Sequence, residues 1–485
     1  QSQRTVEVQI LGLNETHGQL TPLGRDRPAG GAAALAAYLE QEEAENPRTL
    51  VLDTGDFMQG PAISSYFEGA STVEVFNEIG VDAVAVGNHE FDWGQDVLAA
   101  RQAEADFPFL AVNIVDDATG QAPAGIEPYV VENLRGVKVG VIGVANPDTK
   151  NVTLPAATEG LSFLDLDATA QAVNAAVDEL RDRKVETVVV LAHQGLENQS
   201  DGALADLVSQ LSDEVDLVLG GHIPLEVTTE INGIPVVQPL GNTRGYADVT
   251  LTVDRATKDV VDVVATTEPT WVDAITPDPE VQAIVDRYQD ALSDELGKTV
   301  GEATTSILRG ETRGVESEMG NFVTDAMRSY LDGVDFAFTN AGGLRADIDA
   351  GPITLEEIYA VLPFNNTLVT MDLTGAQIVQ VLEEGANSQY GTVQASGLKW
   401  SYDADAPFGD RVTSVTLPDG TPIDPDAPYR IGTNNFMATG GDAFTTLTQG
   451  TNTVDTGINL VDTVVRYLEQ NSPVDPQVEG RLTVE

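Results

Sequence analysis

A chain of 485 residues with 42% apolar side chains is too long for one ordinary core, so two domains are expected. Its 77 Asp and Glu against 25 Lys and Arg leave a net charge of -52, which excludes non-specific attraction to nucleic-acid polymers or anionic lipid, and no apolar run reaches the length of a membrane span. The chain has no cysteine, which excludes disulfides, thiolate metal sites and a cysteine nucleophile, so any metal must be held by His, Asp, Glu, Asn or Gln.

Residues Gln1 to Arg4 run straight into the apolar segment Val6 to Leu13, with no charged-then-apolar leader. Up to about residue 255, apolar runs alternate with helix-period stretches. Val6 to Leu13, Val81 to Val86, Thr187 to Leu191 and Val215 to Leu219 read as buried strands, and Gly30 to Glu45, Gln95 to Ala105 and Ala168 to Arg183 as helices. The alternation predicts a layered α/β domain over residues 1–270. Thr276 to Pro279 breaks the pattern, and Glu280 to Leu296 reads as an amphipathic helix within a linker spanning residues 271–298. The second domain, residues 299–485, is expected to be α+β. It holds a helix around Asn321 to Leu331, a short strand Phe336 to Thr339, and later strand-like runs between Pro, Asp and Gly turns.

There are only four histidines, His17, His89, His193 and His222, and each follows an apolar run. Polar punctuation surrounds them: Asn14-Glu15-Thr16-His17-Gly18, Asp53-Thr54-Gly55-Asp56, Gly87-Asn88-His89-Glu90-Phe91-Asp92, Ala192-His193-Gln194-Gly195 and Gly220-Gly221-His222. In open α/β sheets the loops at the carboxyl ends of strands build the site, so these clusters are expected to converge on one rim. Imidazole and oxygen ligands suit borderline or hard divalent ions, and a carboxylate such as Asp56 could bridge two of them about 3.5 to 4 Å apart. Metal-assisted hydrolysis is the chemistry this set points to. Asp53 reads instead as a hydrogen-bonded loop residue.

This ordered set resembles the calcineurin-like metallophosphoesterases, and the second half narrows the match. Asn340-Ala-Gly-Gly-Leu-Arg345, Leu362-Pro363-Phe364, and Asn435-Phe436 followed by Gly440-Gly441-Asp442 resemble the C-terminal domain of the 5'-nucleotidase family. The resemblance implies two divalent ions, one held by Glu15, His17 and Asp56 and the other by Asp56, Asn88, His193 and His222. It also implies that His89, paired with Asp92, faces the phosphate rather than a metal, and that attack on phosphorus is in line without a covalent enzyme intermediate. Phe364 and Phe436 would stack on the two sides of a nucleobase. Arg313, Asn340 and Arg345 would reach base, ribose or phosphate, and Asp442 would accept from ribose hydroxyls.

The function so implied is release of phosphate from nucleoside 5'-monophosphates, with cyclic nucleotides, nucleoside diphosphates and nucleotide-sugars as further substrates, by a protein exported to the periplasm or outside the cell with its leader removed. Two positions depart from the family pattern. Glu15 stands where Asp is usual, and Gly221-His222-Ile223-Pro224 lacks the second ligating side chain of the usual motif. Both fall on the Glu15/His17 position, which is therefore expected to hold its ion weakly. The competing reading is a degenerate member that binds nucleotide, or serves as a surface structural protein, without turnover. The related sulfur-oxidation hydrolases fit less well, because the paired phenylalanines and Asp442 point to a nucleoside. The acidic surface suits high salt, where screening suppresses self-repulsion.

Overall fold

The computed structural model describes residues 4–24, 26–153, 155–310 and 314–485. The chain divides into two compact units, Gln1–Asp290 and Ala291–Glu485, the division falling inside the helix Pro279–Leu296.

In the first unit two sheets pack face to face. In one, the strand Thr5–Leu13 runs parallel to Thr49–Asp53, which runs parallel to Ala83–Ala85, with Gly245–Asp254 and Val260–Pro269 antiparallel at one edge. In the other, Val137–Val144, Thr187–Ala192, Leu217–Gly220 and Ile234–Gln238 are parallel neighbours. Val8, Ile10, Leu50, Leu52 and Ala83 from the first sheet meet Val141, Val189, Leu191, Leu217 and Leu219 from the second in one buried cluster. The strands read as near-continuous apolar runs because both their faces are covered. On the outer face of the second sheet lies the helix Leu166–Asp182, whose Val173, Val177 and Leu180 recur at helical spacing and pack against Val188 and Val190. Its start is set by Asp165, whose side chain accepts from the Ala168 N–H at 2.8 Å.

Several expected elements are trimmed. The helix expected from Gly30 begins at Ala32, since Gly30 and Gly31 hold φ of 79° and 87°, outside the helical region. The strand expected over Val81 to Val86 keeps only Ala83–Ala85 in the ladder. The rim also draws on two sheets rather than one open sheet, because each apolar run needs a second sheet face as well as helices to bury it.

In the second unit a five-stranded sheet has Phe336–Asn340 parallel to Pro428–Asn434, with Phe336 opposite Ile431. Period-two alternation sends Ala337 to the face covered by the helices Glu318–Tyr330 and Leu460–Asn471. Phe336 and Phe338 go to the face covered by Gly375–Asn387. Ser317 caps the first of these helices by accepting from the Gly320 N–H at 2.9 Å. Among the described residues, no helix is long and apolar enough to cross a membrane.

Candidate metal centre

Three of the histidine-bearing or carboxylate-bearing loops leave the carboxyl ends of Thr5–Leu13, Thr49–Asp53 and Ala83–Ala85. The other two leave Thr187–Ala192 and Leu217–Gly220 in the facing sheet. The chain turns sharply at these points: Glu15, His17, Asp56 and His222 have φ of 47°, 45°, 57° and 67°. Left-handed backbone at residues other than glycine costs roughly 1 to 2 kcal/mol each and persists where surrounding bonds hold it, a pattern concentrated at functional sites.

These bonds are visible. The His17 N–H donates to Asp56 O at 2.9 Å, and Asn242 N–H donates to Glu15 O at 2.7 Å. Ligand atoms of Glu15, Asp56, His193 and His222 all lie within 4.8 Å of one another. His193 Nε2 stands 3.0 Å from Asp56 Oδ2, 3.0 Å from Asn88 Oδ1 and 3.2 Å from His222 Nδ1. His17 Nε2 meets Glu15 Oε2 at 2.8 Å.

The tautomers decide what this cluster needs. His193 Nδ1 faces the Thr54 carbonyl at 2.8 Å and His17 Nδ1 faces the Gln59 carbonyl at 2.9 Å. A carbonyl only accepts, so each Nδ1 carries a hydrogen, and Nε2 is left facing carboxylate and amide oxygens. Positive charge must stand between them, either a proton on the ring or, with the ring neutral, a cation held by its lone pair. The nitrogen and oxygen donors fit a borderline or hard divalent ion.

The same demand for positive charge shows in the titration of these groups. Burial works against charged imidazole in His193, yet Asp56 beside it and Glu15 beyond lift it to about 9. His17 is raised in the same way, with Glu15 outweighing burial. His89 is lifted to about 10 against the effect of burial, chiefly by Asp92 and Asp56. Asp56 is held below the usual carboxylate range, the neighbouring imidazoles of His193 and His89 outweighing its burial. His222 is lowered, by burial and by His193.

His89 is positioned from two sides. Its N–H donates to Asp56 Oδ1 at 2.8 Å and its Nδ1 pairs with Asp92 Oδ2 at 2.7 Å. Its ring crosses that of His17 edge to face, with centroids 5.4 Å apart. Asp53 turns away from the cluster. It accepts from Gly55 N–H at 2.7 Å and Thr16 Oγ1 at 2.9 Å, so both oxygens serve to fix loops.

Sequence reasoning passed over Glu90. This glutamate is 1% exposed and accepts from the N–H groups of Asp56, Gly87 and Phe57 at 2.8, 2.6 and 3.0 Å. Burial pushes its carboxyl up to about 7, with Asp56 adding to the effect. The available signal was an acidic residue between His89 and the apolar Phe91, where a solvated loop charge is out of place.

In the second unit, Asn340 and Asn434 end the parallel strands. Asn340 Nδ2 donates to Asp442 Oδ2 at 2.8 Å, and Asn434 Nδ2 donates to Asn340 Oδ1 at 3.0 Å. Asp442 has φ of 54° in the turn Gly441–Ala443. Phe436 is half-buried and lies so close over Gly441 that a Cβ there would sit 2.5 Å from its ring. The Arg345 guanidinium stands over the Phe364 ring, 5.6 Å from its centroid. Arg313 lies outside the described residues.

Two family models match the chain: calcineurin-like phosphoesterase over residues 8–226 and the 5'-nucleotidase C-terminal domain over residues 298–449. The chain is similar to the crystal structure of a 5'-nucleotidase precursor from Thermus thermophilus, with a TM-score of 0.84, 30% identity and 99% of each chain covered. It is 30% identical to endonuclease YhcR of Bacillus subtilis (strain 168) over 99% of its own length, but spans only 41% of that protein. It is 29% identical to cell wall protein Lmo0130 of Listeria monocytogenes serovar 1/2a, over 98% of this chain and 69% of that one.

Proposed function

The chain belongs to the 5'-nucleotidase family, and from that premise we propose that it is a metal-dependent phosphohydrolase releasing phosphate from nucleoside 5'-monophosphates. The observation that carries the reading is the meeting of Glu15, Asp56, His193 and His222, donors from four separate loops, around one small volume. Two ions are proposed: Glu15, His17 and Asp56 hold one, and Asp56, Asn88, His193 and His222 the other. A bound divalent ion supplies Lewis acidity, drawing charge from phosphoryl oxygens and making water a better nucleophile near neutral pH.

The chain's own residues do the rest. In-line attack breaks the bond between phosphorus and the nucleoside oxygen. His89, its ring held at Nδ1 by Asp92, presents positive charge or a proton to the phosphoryl or leaving oxygen. The backbone bond from His89 to Asp56 ties that ring to the metal-holding carboxylate. In the second unit, Phe364 and Phe436 supply faces for a base. Asp442 takes ribose hydroxyls, and Asn340, Arg345 and Arg313 contribute polar contacts. Cyclic nucleotides, nucleoside diphosphates and nucleotide-sugars present diester or anhydride phosphorus to the same in-line attack and are proposed as secondary substrates. Export is proposed from the similarity to a cell wall protein.

The test is phosphate release from AMP by metal-free protein supplied in turn with Mn, Zn, Co, Mg and Ca. Release with at least one ion, abolished by chelator, supports the reading. Nucleotide binding without release under any of them would replace it with the non-turnover reading.

A further inference from the structure

Asp56 lies at the centre of the metal cluster, and its backbone is in the left-handed region at φ 57°. In that conformation the consecutive N–H groups of Asp56 and Phe57 point the same way and form a concavity suited to an anion. The acceptor there is built in. Glu90 Oε2 accepts from Asp56 N–H at 2.8 Å and from Gly87 N–H at 2.6 Å, and Glu90 Oε1 accepts from Phe57 N–H at 3.0 Å. Three charge-assisted bonds to one buried carboxylate offset the cost of the left-handed turn.

These bonds also join two loops. Gly87 belongs to the loop that carries Asn88 and His89, and Asp56 and Phe57 belong to the one after Thr49–Asp53. On the other side of the same peptide, Asp56 Oδ1 takes the His89 N–H and Oδ2 meets His193 Nε2. Glu90 therefore grips the backbone whose side chain faces the imidazoles. The space is tight, since a Cβ on Gly87 would overlap Asp56 Oδ1.

We propose that Glu90 is a positioning residue for the metal centre: by binding the N–H groups of Asp56, Phe57 and Gly87, it sets the direction of the Asp56 carboxylate and the spacing between Asp56 and Asn88. The inference rests on the reading of this cluster as a metal site. Only a carboxylate satisfies all three donors. A glutamine offers one acceptor oxygen, and its NH2 group would face at least one N–H.

The experiment measures Mn2+ binding to the metal-free 485-residue chain by calorimetry, together with its melting temperature, for the unmodified protein, Glu90→Gln and Glu90→Asp. Outer-sphere partners of metal ligands typically affect affinity by about 10- to 100-fold, so Glu90→Gln should raise the Mn2+ Kd by about that factor. Glu90→Asp, which keeps the charge on a shorter arm, should fall between the two. A folded Glu90→Gln protein with a Kd within about twofold of the unmodified one overturns the proposal, whatever its melting temperature. If Glu90→Gln does not fold, Glu90→Asp decides by the same criterion. Unmodified protein that binds Mn2+ but releases no phosphate from AMP would defeat the hydrolase reading, while the Kd comparison would still decide the role of Glu90. Unmodified protein that binds no Mn2+ overturns both.

Discussion

Glu15 and His222 lie 207 residues apart, yet Glu15 Oε1 accepts the backbone N–H of His222 at 2.9 Å while its other oxygen meets His17 Nε2 at 2.8 Å. One carboxylate thus links loops from the two facing sheets. The extra methylene of glutamate over aspartate provides the reach for both contacts.

Removing that carboxylate should separate the two proposed metal positions. Glu15→Ala is expected to weaken binding at the Glu15/His17 position by about tenfold or more, while the ion proposed for Asp56, Asn88, His193 and His222 survives dialysis. In the unmodified protein, too, the Glu15/His17 ion should exchange first. Metal analysis after graded dialysis checks this, and two ions lost together would contradict it.

His89→Ala should lower kcat for AMP by about two orders of magnitude with metal content nearly unchanged, because the ring is held at Nδ1 by Asp92 while the bond to the Asp56 carboxylate comes from the His89 backbone N–H, which alanine keeps. Asp92→Asn should have a smaller effect on kcat. Turnover unaffected in His89→Ala would remove this residue from the chemistry, and loss of one equivalent of metal would make it a ligand.

Phe364→Ala and Phe436→Ala should each raise KM for AMP by the equivalent of about 1 to 3 kcal/mol, the worth of one stacking face. A small aryl phosphate lacking a nucleobase should show little change. Equal losses on both substrates would indicate damage to the fold, to which Phe436 is the more sensitive because its ring packs on Gly441.

Asp216 supplies a test away from the site. Burial lifts its carboxyl to about 7, against the pull of the Val188 N–H it accepts at 2.8 Å. Its folded value is thus above the ordinary carboxylate value of about 4, so between those limits the native state keeps a proton the unfolded state has released, and stability falls as pH rises. Asp216→Asn keeps an acceptor for Val188 without the charge. It should melt higher than the unmodified protein at pH 8, with the difference fading near pH 4; a difference independent of pH would reject the assignment.

Salt should stabilise the whole chain, since a net charge of -52 repels itself and is screened over about 10 Å at 0.1 M and less at higher concentration. The melting temperature is expected to climb from low to molar KCl. A flat or falling curve would mean that local ion pairs, not the net charge, set the response.

The sequence alone determined the parts that depend on short-range pattern. Apolar runs such as Val6 to Leu13 and Thr187 to Leu191 become strands because they are short and rich in β-branched residues, which suits a sheet covered on both faces, and the polar residues after them then sit at strand ends. That is why the loops carrying His17, Asp56, Asn88, His89, His193 and His222 could be located from the pattern of residues, whereas the division of these side chains between metals and phosphate came from the family resemblance; Asp53 fixes loops through both its oxygens. The tertiary structure alone decided the partners. Nothing local says that the rim draws on two sheets, that Glu15 reaches the peptide of His222, or that Glu90 commits both oxygens to the backbone of a loop more than thirty residues away. Such bonds depend on where N–H groups point after a left-handed turn, and that direction is set by packing between segments distant in the chain, which no window of sequence contains.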